Sequence, residues 1–476
     1  MPLVDYSRFN SLFCPRAMAM IGASDDLGGS IALSSALNHD FQGQFYLVNN
    51  RGGELRGYKV YNSVKDIPGP VDYVWIRVPA KATVQVIRDC IEKGVKLVTI
   101  YTAGFGESDN EWGAEVEQEV LEVACHSGIR LLGPNCMGVY CPASGLSYDD
   151  QFPAESGPVG MLSQSGGNTF QLIYSGDSRG MRFSKVISYG NAIDINEAEL
   201  MEYYALDEET KIVVAYVEEP REGERFFRAL KEAARIKPVI VLNGGQTEGG
   251  ARAALSHTRS LAGSTAIWSS LIRQAGAIQA DNIEECADIG LACLFMKPPQ
   301  GRRTAVIGWG GGASVQAADD CYRNGLILPP MSQDIISDLR ETIPTAGSIV
   351  RNPLDVTPLF MDPRDMDHAI RAVGQSPDVD VLLLSAGLQV GGCAALEMNI
   401  LQPAVKAFIS AARGIDKPAA VAIHAAYSPK SHQVFLELQD ICARNRTAFY
   451  PSTTRAAIAI DKLVRYNEAR QLDLQQ

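Results

Sequence analysis

Short, nearly uninterrupted apolar runs rich in β-branched residues alternate along this chain with longer stretches whose apolar positions recur at helical spacing. Strands without polar alternation are buried on both faces, so the pattern predicts parallel sheets covered by helices on either side. It occurs three times. The first unit predicts strands at 16–21, 44–48, 73–76, 96–100 and 129–132, and a polar, Pro- and Gly-containing passage from 142 to 158 closes it. The second predicts strands at 159–162, 185–188, 212–217 and 238–242 and a final helix near 283–295. Pro298 and Pro299 then stop that helix and stiffen a linker. The third unit predicts strands at 304–308, 379–384 and 419–423. Three α/β domains follow, at residues 1–141, 142–296 and 302–476. They share a topology class but no fixed sequence period, so they are not read as repeats.

Length agrees, since 476 residues suffice for roughly two to four domains, each with its own core. The net charge of −12 and the lack of a basic cluster exclude a nucleic-acid surface, which needs concentrated Lys and Arg. No run of about 18 apolar residues predicts a membrane span, and no basic segment with a following apolar run opens the chain, so a cytoplasmic location is expected. The ten cysteines never form a Cys-x-x-Cys pair, which signals neither zinc nor a disulfide framework; reduced, mostly buried thiols are expected. No two of the six histidines stand at metal-ligand spacing on one helix, so no metal is expected on this chain.

Four segments carry candidate chemistry. Gly22-Ala23-Ser24 follows the first strand as a tight turn whose amides could face a phosphate. It lacks the full Gly-x-Gly-x-x-Gly spacing, and no carboxylate for a ribose hydroxyl follows the second strand, which disfavours a dinucleotide. Arg51 instead offers positive charge, as a ligand with extra phosphates requires. Ser163-Gln164-Ser165-Gly166-Gly167 sits between a strand and a helix, where hydroxyls, glycines and a helix N-terminus together suit an anion. Glu218 and Glu219 end a hydrophobic strand; from there a carboxylate can fix a histidine tautomer and leave the other ring nitrogen nucleophilic. Glu218 stands closer to the strand. His257, after two Gly-Gly pairs and among mostly small residues, is the histidine placed to carry a group; His39, His126, His368, His424 and His432 read as structural.

With these residues assembled, the chain resembles the α subunit of the NDP-forming acyl-CoA synthetases, the superfamily of succinyl-CoA synthetase and ADP-forming acetyl-CoA synthetase. The resemblance spans essentially the whole chain. Its specific parts are Ser256-His257-Thr258 with Leu261-Ala262-Gly263-Ser264, Gly133-Pro134-Asn135-Cys136-Met137-Gly138, Ser163-Gln164-Ser165-Gly166, Gly190-Asn191-Ala192-Ile193-Asp194 and Asn352-Pro353-Leu354-Asp355-Val356. It implies an N-terminal CoA-binding Rossmann domain followed by two flavodoxin-like doubly wound domains, the first bearing a phosphohistidine. On that basis His257 is phosphorylated, Glu218 orients it, and Ser163, Ser165 and Gly166 cradle its phosphate. Gly22, Ala23, Ser24, Asn49, Arg51, Pro79, Thr102, Ala103 and Asn135 would line the coenzyme A site. The implied reaction joins a small carboxylic acid to CoA with ATP, through an acyl phosphate.

The chain departs from the family pattern at Arg259, where glycine is usual, at Asn243-Gly244, where a lysine precedes the glycine by two positions, and at Asn50, which replaces a proline. No Walker loop occurs and the three units use nearly the whole length. The resemblance therefore implies a partner β subunit with ATP-grasp domains, holding ATP or ADP with Mg, in a hetero-oligomer. Two other readings compete. A non-catalytic CoA-binding or regulatory homologue would keep the fold but lose phosphoryl transfer through Arg259; a nicotinamide-dependent oxidoreductase would use the first unit but lacks its acidic ribose-binding residue.

Overall fold

The computed structural model describes residues 9–25, 40–250, 252, 265–308, 310–343, 349–356, 363–388, 394–424 and 428–475. The chain divides into two compact units, Met1–Tyr174 with Arg182–Ile283, and Ser175–Met181 with Glu284–Gln476.

The first unit holds two sheets. After the short helix α1 (Asn10–Phe13) come β1 (Ala17–Ile21), β2 (Gln44–Val48), β3 (Gly53–Leu55), β4 (Tyr58–Tyr61), β5 (Tyr73–Ile76), β6 (Leu97–Ile100) and β7 (Arg130–Leu132). They lie in the order β3-β4-β2-β1-β5-β6-β7, all parallel except β3 against β4. Without β3 this is the 3-2-1-4-5-6 order of a Rossmann sheet, reversing between β1 and β5. β5 and β6 are buried at every position, as strands covered on both faces must be. The helix α2 (Ala80–Lys93) turns Ala80, Thr83, Ile87 and Cys90 inward and ends at Gly94, whose φ of 83° suits glycine.

The second sheet contains β8 (Gly138–Tyr140), β9 (Ser156–Ser163), β10 (Phe183–Ser188), β11 (Ile212–Val217), β12 (Val239–Asn243) and β13 (Ile278–Gln279), ordered β13-β12-β11-β9-β10-β8. From β9 onward this is the 2-1-3-4-5 flavodoxin-like order, reversing between β9 and β11. β8 adds an antiparallel edge, with Tyr140 opposite Val186. That strand precedes the expected boundary at 142, so the chain crosses into the second sheet before its polar passage begins. The passage itself is anchored by aromatic rings: Phe152 lies 5.0 Å from Tyr140 and 5.1 Å from Phe170 between centroids. A single core containing Leu132, Cys136 and Val139 continues into Leu162, Ile187 and Tyr189, which joins the two sheets into one unit.

The second unit carries β14 (Thr304–Gly308), β15 (Leu354–Asp355), β16 (Val381–Gly387), β17 (Ala419–His424) and β18 (Ala448–Tyr450), all parallel in the order β15-β14-β16-β17-β18. This repeats the flavodoxin-like 2-1-3-4-5 arrangement. From Glu284 onward the helix 283–295, which the sequence places at the end of the second domain, packs within this compact unit. There the buried carboxylate of Asp288 pairs with Arg179 and, at 2.5 Å, with Arg455.

Among the described residues no helix is long and apolar enough to cross a membrane, and no group of three His, Cys, Asp or Glu is arranged to hold a metal ion.

Candidate active site

Open α/β sheets bind ligands beyond the carboxyl ends of their strands, where the strand order reverses. In the first sheet that point lies between Ile21 and Ile76. The amides of Gly22 and Ala23 both donate to the Val48 carbonyl, at 2.9 and 3.1 Å, and make a tight turn. Gly22 has a φ of 94°, and a Cβ there would stand 2.2 Å from the Arg77 carbonyl oxygen, so only glycine fits. Asn49 Nδ2 donates to the Ala23 carbonyl at 2.7 Å, and its Oδ1 accepts the Arg51 amide at 3.1 Å. The fold thus gathers Gly22, Ala23, Asn49 and Arg51 at one strand end.

A cavity of about 400 Å³ opens beside them, and Gly22, Asn49 and Pro79 line it. Asn62, Ser63 and Arg77 line it too, and sequence reading missed all three. Arg77 is the informative one. Its Nη1 donates to Ser24 Oγ at 3.2 Å, bringing a guanidinium to the glycine turn. No spacing rule connects a residue after β5 to a turn after β1; parallel pairing of Ile21 with Ile76 does so. Thr102 and Asn135 meet at the edge, where the Asn135 amide donates to the Thr102 carbonyl at 3.0 Å, while Ala103 is exposed; none of the three lines the cavity.

In the second sheet the reversal lies between β9 and β11. Ser163 ends β9 fully buried; its hydroxyl donates to the Ser165 carbonyl at 2.7 Å and accepts the Ser165 amide at 3.2 Å. That hydroxyl is committed to shaping the turn. Ser165 Oγ accepts the Asn168 amide at 3.3 Å and caps the helix α3 (Gly166–Asp177). A Cβ on Gly166 would fall 2.6 Å from Met137 Cγ, so the glycine allows the helix start to press against the Gly133–Gly138 segment.

Glu218, only 4% exposed, lies one residue beyond β11. Its Oε1 accepts from Tyr216 Oη at 3.2 Å. Burial, followed by the charge of Glu218, pushes the Tyr216 hydroxyl well above its ordinary range, so it stays a donor at neutral pH. The Gln164 side-chain carbonyl accepts the Glu218 amide and, at 3.2 Å, the Glu219 amide. On β12, Asn243 faces Val217 in register and is 1% exposed, with neither amide atom hydrogen-bonded among the described residues. A Cβ on the next residue, Gly244, would stand 2.8 Å from Glu218 Cγ and 2.9 Å from Tyr216 Oη. Tyr216, Gln164 and Gly244 were not singled out by sequence as site residues, because each acts by holding Glu218. His257 and Arg259 lie outside the described residues.

A further cavity of about 390 Å³ is lined by Glu107, Glu117, Gln164, Asn191, Glu219 and Arg221. Asn191 Nδ2 donates to Glu107 and Glu117 at 2.6 and 3.0 Å, and Arg221 Nη2 donates to the Asn191 carbonyl at 2.6 Å. The Gly133–Gly138 and Gly190–Asp194 motifs meet here. A Cβ on Gly190 would lie 2.2 Å from the Pro134 carbonyl oxygen, and Asp194 receives Arg130 Nε at 2.9 Å and the Leu131 amide at 2.7 Å. These motifs splice the first sheet to the second and so place the glycine turn, the Ser163–Gly166 turn and Glu218 within one unit.

Three family models match in succession: a CoA binding domain over residues 16–142, a succinyl-CoA ligase like flavodoxin domain over 156–293 and a ligase-CoA domain over 304–474. The chain is 39% identical over 377 residues to the ADP-forming acetate–CoA ligase II subunit alpha of Pyrococcus furiosus, covering 78% of this chain and 80% of that one. Against the I subunit alpha of the same organism it is 34% identical over 468 residues, covering 96% and 97%. The solved structure of the dinucleotide forming acetyl-coenzyme A synthetase 1 of Ca. Korarchaeum cryptofilum, in complex with phosphate and ADP, matches with a TM-score of 0.83 at 32% identity over 98% of each chain. With the three domains in this order and near full-length relatedness, the chain belongs to the NDP-forming acyl-CoA synthetase superfamily, in the line of its α subunits.

Proposed function

We propose that the chain is the CoA-binding, phosphohistidine-bearing subunit of an ADP-forming acid–CoA ligase. The observation that carries this reading is the meeting of buried Glu218 with the Ser163–Gly166 turn at the strand-order reversal of the second sheet. A carboxylate held rigidly by Tyr216 and Gln164 suits the orientation of an imidazole, and the amides opening α3 suit a phosphoryl group. In this reading His257 is the phosphorylated residue, Glu218 its orienting partner, and Ser163, Ser165 and Gly166 form the cradle. The cavity beside Gly22, Asn49 and Pro79 takes coenzyme A, with Arg51 near its phosphates and Ala23, Ser24, Thr102, Ala103 and Asn135 around it.

The chemistry explains why a phosphoryl carrier is needed. A carboxylate is a poor acyl donor because oxide is a poor leaving group, whereas phosphate leaves readily. The phosphoryl group passes from the imidazole nitrogen to a carboxylate oxygen of a small acid; the CoA thiol then loses its proton, attacks the acyl carbon and expels phosphate. The net reaction consumes acid, CoA and ATP and yields acyl-CoA, ADP and phosphate. The nucleotide and its Mg belong in this reading to a separate ATP-grasp β subunit, so the working enzyme is a cytoplasmic hetero-oligomer. The subunit alpha names of the relatives support a partner.

The test is to incubate the purified chain with acyl-CoA and labelled phosphate and look for acid-labile, base-stable label. Label on the wild type that disappears in His257→Ala is expected. An unlabelled wild type, or a labelled His257→Ala, overturns the assignment.

A further inference from the structure

We propose that Cys14 and Cys141 form a reversible thiol–disulfide site, with exposed Cys14 as the attacking thiol and buried Cys141 as the resolving one. The residues are far apart in sequence, and the fold brings them together. Cys14 directly follows α1 and Cys141 directly follows β8. Ser144 Oγ donates to the Phe13 carbonyl at 2.5 Å and to the Cys141 carbonyl at 3.2 Å, tying the two segments. Paired backbone bonds between Cys141 and Leu146, at 2.8 and 3.2 Å, hold the second segment in place. Both thiols are free, and they are hydrogen-bonded to each other.

The two environments assign different roles. Cys14 is exposed, whereas Cys141 is 1% exposed. The hydrogen bond from Cys141, opposed by partial burial and aided by the Lys185 charge, brings the Cys14 thiol down to about 6. Lys185 Nζ sits 5.6 Å from the Phe13 ring centroid, paired with Asp207 at 3.0 Å and Glu209 at 2.5 Å; the Glu209 charge works against the lowering. Cys14 is thus the thiol of the pair that is both exposed and held below its ordinary range, and thiolate character with access is what thiol exchange requires. Cys141 is pushed up, first by its bond to Cys14 and then by burial.

With a low-molecular-weight disulfide as oxidant, the Cys14 thiolate attacks one of its sulfurs, breaks the S–S bond and releases one small thiolate. The Cys14 sulfur then carries no charge, which removes the main cause holding the proton on Cys141. Cys141 loses that proton and attacks the Cys14 sulfur, expelling the second small thiolate. Two protein thiols are oxidised by two electrons and the small disulfide is reduced to two thiols. The closed loop contains the whole first sheet and staples its entry to the edge of the second, so oxidation should raise the melting temperature by several degrees.

The experiment treats the full chain with oxidised glutathione and reads intact mass, a non-reducing peptide map and thermal unfolding. Wild type should lose the mass of two hydrogens, yield a Cys14–Cys141 peptide and revert with dithiothreitol. Cys141→Ser should stop at a stable glutathione adduct on Cys14, and Cys14→Ser, a change at an exposed position, should form neither product. A stable adduct on wild-type Cys14, an unmodified Cys14, or a cross-link to a different cysteine overturns the proposal. None of these readouts involves ligase activity, so the site stands or falls separately from the function proposed above.

Discussion

The side-chain carbonyl of Gln164 accepts the backbone amide of Glu218, and it takes the Glu219 amide as well, at 3.2 Å. One side chain in the turn after β9 thereby fixes the path of the chain after β11. The Ser163–Gly166 turn and the Glu218 carboxylate are thus tied to one another, a form of preorganisation that a site built on separate loops lacks.

Tyr216→Phe removes the donor to Glu218 Oε1. A hydrogen bond to a charged group is worth about 1.5–3 kcal/mol, so phosphoenzyme formation should slow by about tenfold or more. Rapid-quench labelling checks this, with thermal unfolding to show that the fold is kept.

Arg51→Ala should weaken CoA binding several-fold and flatten its dependence on salt, because an exposed guanidinium acts on phosphates through a screened charge. Titration calorimetry at low and high salt measures both effects. Equal loss at the two salt concentrations would remove Arg51 from the phosphate site.

Asp288→Ala should strongly destabilise the second unit. Arg179 is 5% exposed and would be left as a buried charge without its carboxylate, a change costing about 3–5 kcal/mol. Urea unfolding, with tyrosine or tryptophan signals assigned to each unit, measures the loss.

Asp72 accepts the Arg16 amide at 3.0 Å, its Nε at 3.2 Å and its Nη2 at 3.1 Å. These bonds, against some burial, hold the Asp72 carboxyl below the usual carboxylate range. A depressed acid contributes stability that is present above its unfolded pKa and lost as pH falls through the folded value. Asp72→Asn should therefore melt below wild type at neutral pH, and the gap should narrow progressively as pH falls below the unfolded reference of about 3.9 toward the lower folded value. A gap that stays constant across that range would show that the charge contributes nothing.

Strands were legible where parallel pairing with burial on both faces leaves an unbroken apolar run: β2, β5 and β11 have the bounds that their sequence predicts. The strands β3, β4, β8, β13, β15 and β18 were not predicted; each has two to four residues, and at that length, which β5, β6 and β7 share, periodicity alone does not decide. β8 shows the consequence, because its assignment to the second sheet depends on pairing with β10 and not on its own residues. The helix 283–295 was predicted correctly as a helix, while its membership in the second unit rests on partners such as Arg455, far along the chain.

The same division holds for the candidate site. Glycines and hydroxyls next to strand ends marked the turns at Gly22 and Ser163, because a tight turn at a strand end demands those residue types locally. Arg77, Tyr216, Asn243 and the Cys14–Cys141 pair carried no such mark. Their neighbours are set by strand register and by the splice between Asp194 and Arg130, which local spacing does not encode.

By itself the sequence determined the α/β class, the three successive sheets, the turns at their strand ends and the family, for these follow from periodicity and short motifs. Only the tertiary structure decided which strand ends become neighbours, which acids are buried and which thiols touch. Those outcomes depend on the order of strands within each sheet, and strand order is a relation between segments far apart in the chain.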